Sequence, residues 1–212
     1  MFELRTLGIV QIRGSDGRPV EALQGRSRRL ALLAYLAIDR PVGLKRRDTL
    51  VALFWPDASP ERGRGALRQA LQTLADTLGP QVLLGRGSDS VGCNAAEVWC
   101  DARVLERASE AGRHAEVLRL FGGDFLPGFS VSGAPEFEAW VDDHRLRLRA
   151  LAARAAAILA EEAEADDEVD GAVGWAERAV ELAPDDESAL LRLLQLLYRL
   201  GRPLHGLEAY AS

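Results

Sequence analysis

Residues 59–93 read SPERGRGALRQALQTLADTLGPQVLLGRGSDSVGC, and this stretch decides the first half of the chain. Ser59 stands at a helix N-cap position. Pro60 follows at the first helical position, where its missing N–H costs nothing, and Glu61 faces the positive end of the helix dipole. Leu67, Leu71, Leu74 and Leu78 then recur every three or four residues, a stripe roughly 60° wide that predicts one inward helix face. Gly79-Pro80 stops the helix. Val82-Leu83-Leu84 and Val91-Gly92-Cys93 flank Gly85-Arg86-Gly87-Ser88-Asp89, which predicts a β-hairpin with a short tip.

Upstream, the same kind of reading gives a helix over about Lys45–Phe54, broken by Trp55-Pro56-Asp57-Ala58. Before it lies a helix that starts near Ser27, carries Leu30, Leu33, Ala34 and Ala37 on one face, and ends at Pro41 and Gly43. Leu4–Thr6 and Ile9–Arg13 alternate like strands, Ser15-Asp16-Gly17 reads as a turn after them, and Val20–Leu23 reads as another short strand. A small antiparallel sheet, three helices and a hairpin, in that order, describe an α+β winged helix-turn-helix domain over residues 1–97. Such a domain is expected to fold alone and bind DNA; an α+β domain with no ligand shares the pattern.

After Glu97 strand signals give way to helical ones. Helices are expected over Asp101–Ala111, Arg113–Phe121 and Ala134–Glu164, with Gly122–Phe129 as a rigid turn. Ala172, Ala176, Ala179 and Pro184 match the second helix of a tetratricopeptide repeat, and Leu190, Leu193, Leu194 and Leu197 match the first helix of the next. Gly206 and Tyr210 fall where its second helix should begin. Residues 98–212 are thus expected to form an all-α TPR-like domain, truncated within a repeat. Such stacks present grooves to peptides or neighbouring protomers, so a homodimer through this half is expected.

Charge divides the chain at the same place. Residues 1–97 carry 14 Arg/Lys against 10 Asp/Glu, a balance of +4, whereas residues 98–212 carry 12 against 22, a balance of −10. Only the first half suits a polyanion. The acidic run Glu161–Glu168 reads as solvated helix ends, and Trp140 and Trp175 as core anchors. No apolar run approaches the ~20 residues of a membrane span. No signal-peptide layout opens the sequence, so a cytoplasmic protein is expected. Cys93 and Cys100 have no second pair for a zinc site or disulfide framework. His114, His144 and His205 lack metal spacing, and neither a nucleophile elbow nor a phosphate-loop lysine occurs. The sequence therefore predicts no enzyme, no metal and no cofactor.

If the third helix is the recognition helix, Arg64, Arg68 and Gln72 lie on one shoulder of its outer side and Arg62, Gln69 and Thr73 on the other. Arg pairs bidentately with guanine and Gln with adenine, so Arg64, Arg68, Gln69, Gln72 and Thr73 are the candidate base readers. Arg46 and Arg47, with Arg26, Arg28 and Arg62, are candidate phosphate contacts that would fix register without reading sequence. Arg86 at the wing tip is placed to enter a narrow minor groove. Double-stranded DNA is the expected partner.

Two motif sets carry a family resemblance. One is Arg28-Arg29-Leu30-Ala31-Leu32-Leu33-Ala34-Tyr35-Leu36, Leu53-Phe54-Trp55-Pro56-Asp57 and Ala66-Leu67-Arg68-Gln69-Ala70-Leu71. The other is Gly123-Asp124-Phe125-Leu126-Pro127-Gly128-Phe129, then Pro135-Glu136-Phe137-Glu138-Ala139-Trp140 and Arg145–Arg149. Together they resemble the Streptomyces antibiotic regulatory protein (SARP) family, an OmpR-like winged helix followed by a bacterial transcriptional activator domain. The resemblance implies an activator that binds promoter direct repeats and recruits RNA polymerase. The chain departs from it at Ala75-Asp76, where many members carry Arg or Lys. Two other readings stay open: a protein-interaction scaffold whose winged helix has lost DNA binding, and a fragment of a larger sensor.

Overall fold

The computed structural model describes residues 1–23, 28–41, 43–86 and 89–201. They form two compact units, Met1–Val104 with Gly123–Arg145, and Leu105–Gly122 with the chain from Leu146 onward.

The first unit is mixed. Strands β1 (Phe2–Arg5) and β2 (Gln11–Arg13) pair antiparallel, with Leu4 opposite Ile12. Alternation buries Leu4 and Ile12 on one face, as a half-covered sheet requires. Helix α1 (Arg28–Ile38) is apolar nearly all round, and every residue from Leu30 to Ile38 is buried. A helix of that kind belongs inside a core rather than on its surface. It packs against α3 and against strands from both sheets of the unit. Strand β3 (Lys45–Arg46), helix α2 (Arg47–Phe54), helix α3 (Pro60–Leu78) and the hairpin β4 (Leu83–Arg86) and β5 (Ser90–Cys93) follow, and the second sheet has the order β3-β5-β4.

Three local expectations change. Val20–Leu23 is not a strand: only Pro19 bridges back, to Arg13, and Glu21–Leu23 makes a 3₁₀ turn, consistent with a proline that has no N–H to extend a ladder. Lys45 and Arg46 pair with Val91 and Ser90 instead of opening the helix. Val98–Cys100, expected to be helical or irregular, forms β6, which lies parallel to β1 with Phe2 opposite Val98 and Leu4 opposite Cys100. Its partner is almost a hundred residues away, so no local pattern announces it.

Strand β6 runs into α4 (Asp101–Glu110), and Asp101 locks the junction. Its buried carboxylate accepts hydrogen bonds from the Thr6 amide (2.8 Å), the Thr6 hydroxyl (2.6 Å), the Leu7 amide (3.0 Å) and its neighbour Ala102 (2.8 Å). Residues 123–145 complete the unit. The Gly8 amide donates to Asp124 O, and the Leu126 amide donates to Thr6 O at 2.7 Å. Leu126 adopts φ +44°, unusual for a residue with a Cβ, and is fully buried. Arg145 holds it there, donating from Nε to Phe125 O (2.9 Å) and from Nη2 to Leu126 O (2.8 Å). Phe137 and Trp140, on helix α6 (Pro135–Ala165), join Phe54, Tyr35 and Phe125 in an aromatic cluster with ring centres 4.9–5.9 Å apart.

The second unit is helical in its described residues: the remainder of α4 and α6 with α5 (His114–Leu120), α7 (Val169–Leu182) and α8 (Glu187–Arg199). Its core joins Ala160 and Ala163 of α6, Ala172, Val173 and Ala176 of α7, and Leu193, Leu196 and Leu197 of α8. Small side chains on two helices and leucines on the third let the backbones approach closely, the packing the tetratricopeptide pattern anticipates. Asp186 caps α8 by accepting the Ser188 and Ala189 amides, and the Ser188 hydroxyl first, then those amides, draw its carboxyl below the ordinary aspartate range. Trp140 is an anchor as expected, but Trp175 is 36% exposed. Gly206 and Tyr210 lie outside the described residues.

The 97/98 division of the sequence is not a division of contacts. Strand β6, the start of α4 and residues 123–145 all belong with the N-terminal unit.

Candidate nucleic-acid interface

Helices α2 and α3 are joined by a tight break. The Trp55 amide donates back to Val51 O and the Ala58 amide to Trp55 O, while the Gly63 amide donates to Ser59 O in the first turn of α3. The helices cross closely at Gly63, where a Cβ would stand 2.5 Å from Val51 Cγ1. The leucine stripe seats α3 as its spacing predicts, for Leu67, Leu71, Leu74 and Leu78 are all buried. With that face inward, Arg62, Arg64, Arg68, Gln69, Gln72 and Asp76 are exposed and Thr73 is half-buried.

Arg46, Arg47, Arg64 and Arg68 come together around one open cavity of about 490 Å³, with Asp48, Leu67 and Asp89 as its other walls. The pairs arrive from different elements. Arg64 and Arg68 are one turn apart on α3, while Arg46 ends β3 and Arg47 begins α2. The Arg47 amide donates to Asp89 O at 2.9 Å, which pins the start of α2 to the hairpin. Among the described residues the Arg47 Nε is buried without a hydrogen-bond partner. Arg64 Nε reaches Asp48 Oδ1 at 3.3 Å, but both side chains are mostly exposed, so this pair is worth little and opens readily. Four guanidinium groups facing two carboxylates leave a net positive cavity.

The other candidates divide. Gln72 Nε2 donates to Asp76 Oδ1 at 2.7 Å, and the Thr73 hydroxyl donates to Gln69 O at 2.9 Å, so two polar heads on the outer face have partners within the helix. Arg62 is exposed but does not line the cavity. Arg28, a candidate phosphate contact, is engaged elsewhere: Nη2 donates to Ser132 O, and the guanidinium lies 5.5 Å from the centre of the Trp55 ring. Arg26 lies outside the described residues. For Arg86 the backbone pairing puts positions 46, 90 and 86 in one row across the sheet β3-β5-β4. The sequence marks neither Asp48 nor Asp89 as a site residue, and Asp89 only as part of the hairpin tip. Asp48 was findable as an acid in the first turn of α2, where the helix dipole favours one; Asp89 reaches the cavity through hairpin pairing, which spacing does not reveal. Lys45, next to the arginine pair, points to Asp39 instead of the cavity.

The described residues thus form a small mixed unit, in which a basic cavity adjoins an exposed polar helix, and a helical unit. The bacterial transcriptional activator domain family matches residues 94–212, more than half of the sequence, and the chain belongs to that family. The match bears out the resemblance to SARP-type activators. A search of curated proteins found no match. No described helix is long and apolar enough to cross a membrane.

Proposed function

We propose that the chain is a sequence-specific, DNA-binding transcriptional regulator of the SARP type, with residues 1–97 supplying a winged helix and 98–212 a TPR-like activator domain. The convergence of Arg46, Arg47, Arg64 and Arg68 from three elements onto one cavity beside the exposed face of α3 carries this reading. In it, Arg64, Arg68, Gln69, Gln72 and Thr73 read base edges, Arg46, Arg47 and Arg62 hold phosphates, and Arg86 follows the minor groove. Family membership supports a transcriptional activator; the reading extends this to promoter direct repeats, contact with RNA polymerase and a homodimer through the helical half.

The test is duplex binding by the full chain across a salt series. The log–log slope should fall by roughly 0.9 for each phosphate neutralised. Arg68→Ala should cost about 1–3 kcal/mol on the best selected site and relax preference at one base pair. Arg47→Ala should weaken all sequences alike and flatten the slope by about one phosphate. Identical behaviour of the two variants would refute the division between reading and holding. Asp76 favours the second reading, a scaffold, since it ties up Gln72 and puts a carboxylate on the outer face. A flat salt response would mean that the basic half is not the binding surface, and a folded chain that binds no duplex even at low salt would favour the scaffold over the first reading.

A further inference from the structure

Asp39 follows the last turn of α1 and divides its carboxylate between two distant pieces of chain. Oδ1 accepts the indole N–H of Trp140 at 2.8 Å. Oδ2 accepts the ammonium of Lys45, which also donates to Pro41 O at 2.9 Å. Tyr35 floors the arrangement, its ring 4.9 Å from that of Trp140 and 5.9 Å from Lys45 Nζ. The Lys45 and Asp39 side chains are only 11% and 14% exposed, so the ion pair is not a surface pair that salt dissolves.

Two sequence facts give this knot a direction. Lys45 is the only lysine in the chain, all the other basic residues among 26 being arginine. The one ammonium stands where a compact, three-donor cation must fit between two acceptors and over a ring, a geometry a planar guanidinium does not reproduce. Lys45 is also the first residue of β3, and the second is Arg46. The buried tie is therefore one and two residues away from the arginines that enter the cavity. At its far end, Trp140 lies within the stretch matched by the activator-domain family.

We infer that Trp140, Asp39 and Lys45 form a tie through which the activator-domain segment 135–145 sets the position of Arg46 and Arg47. The three are positioning residues and touch no ligand themselves. The inference rests on the DNA-binding reading for its consequence, since a shift of α6 at Trp140 alters how the cavity meets phosphate. It does not rest on that reading for its mechanics.

Amide hydrogen exchange and duplex binding, both on the full chain, test it together. Trp140→Phe keeps the ring and removes the donor. Lys45→Arg keeps the charge and changes the head. In each, while circular dichroism still reports a folded protein, exchange in residues 44–47 and 89–91 should rise about tenfold more than in the rest of the unit. DNA affinity should fall roughly three- to tenfold, with a salt slope shallower by about one phosphate. Phe137→Leu thins the same aromatic cluster but leaves the partners of Asp39 in place, and should not single out β3. A uniform rise in exchange, no rise, or the same pattern in Phe137→Leu overturns the inference. If the wild-type chain binds no duplex at low salt while β3 still answers to Trp140→Phe, the tie stands and the DNA reading falls.

Discussion

Asp101 faces hydrogen-bond donors on every side that the structure describes: two backbone amides and a hydroxyl from Thr6 and Leu7, and the amide of Ala102. Burial pushes its carboxyl above the ordinary aspartate value, and the donors pull it back. An asparagine has nearly the same shape but must turn an NH₂ toward one of those donors. Each buried polar group left unsatisfied costs about 1–3 kcal/mol. Asp101→Asn should therefore lower stability by roughly 2–3 kcal/mol and the melting temperature by about 4–12 °C, followed by circular dichroism. A change under 1 °C would mean the donors find water or other partners. The role of Asp101 is not legible in the sequence, where it is one acid among many at a helix start; its partners are ninety-odd residues upstream. The arginines are a contrary case. Arg64 and Arg68 share a helix face by spacing, and Arg46 and Arg47 stand at the start of the adjoining helix, so their meeting follows once the helix pair is recognised.

At the scale of elements, two glycines of α3 make a controlled pair. At Gly63 an added Cβ would stand 2.5 Å from Val51 Cγ1, on a β-branched side chain with little room to rotate, whereas at Gly65 nothing lies within 4 Å. Overpacking a helix contact costs typically about 1–3 kcal/mol, against a gain of roughly 1 kcal/mol when alanine replaces glycine in a helix. Gly65→Ala should thus stabilise the chain by about 0.5–1 kcal/mol, while Gly63→Ala should be neutral to destabilising by ~2 kcal/mol. Equal effects on the urea midpoint would show that α2 and α3 are not in close contact at this point. Helices were legible here because their signals are local: Pro60 and Gly79-Pro80 bound α3, and its leucines set its face. Short strands were not. Val98–Cys100 and Lys45–Arg46 exist because remote strands offer unpaired backbone groups, and a two- or three-residue segment carries too little period to declare itself. Val20–Leu23 shows the opposite error: past the Pro19–Arg13 bridge and the bond from the Val20 amide to Ile12 O, the segment turns into a 3₁₀ turn instead of a strand.

At the scale of the whole molecule, charge and motif order both divide the sequence near residue 97, and that reading expects the first part to fold alone. The contacts argue otherwise. A fragment of residues 1–97 would lose β6, leaving one edge of β1 bare, and would lose Asp101, so the Thr6 and Leu7 amides would have no acceptor. It would also lose Phe125, Phe137 and Trp140, uncovering Tyr35 and Phe54 in the middle of the aromatic cluster. Covering one large side chain is worth about 1.5–3 kcal/mol. Several such losses, added to the unpaired strand edge, match the entire net stability of a domain, about 5–15 kcal/mol. The fragment 1–97 is therefore expected to lack a cooperative urea transition and to show weak near-ultraviolet dichroism from Trp55. A fragment of residues 1–145, which restores β6, Asp101 and the aromatic segment, should regain both. If residues 1–97 unfold cooperatively with a midpoint close to that of residues 1–145, the segment 123–145 is an ornament on a self-sufficient fold, and the boundary drawn by charge is the physical one.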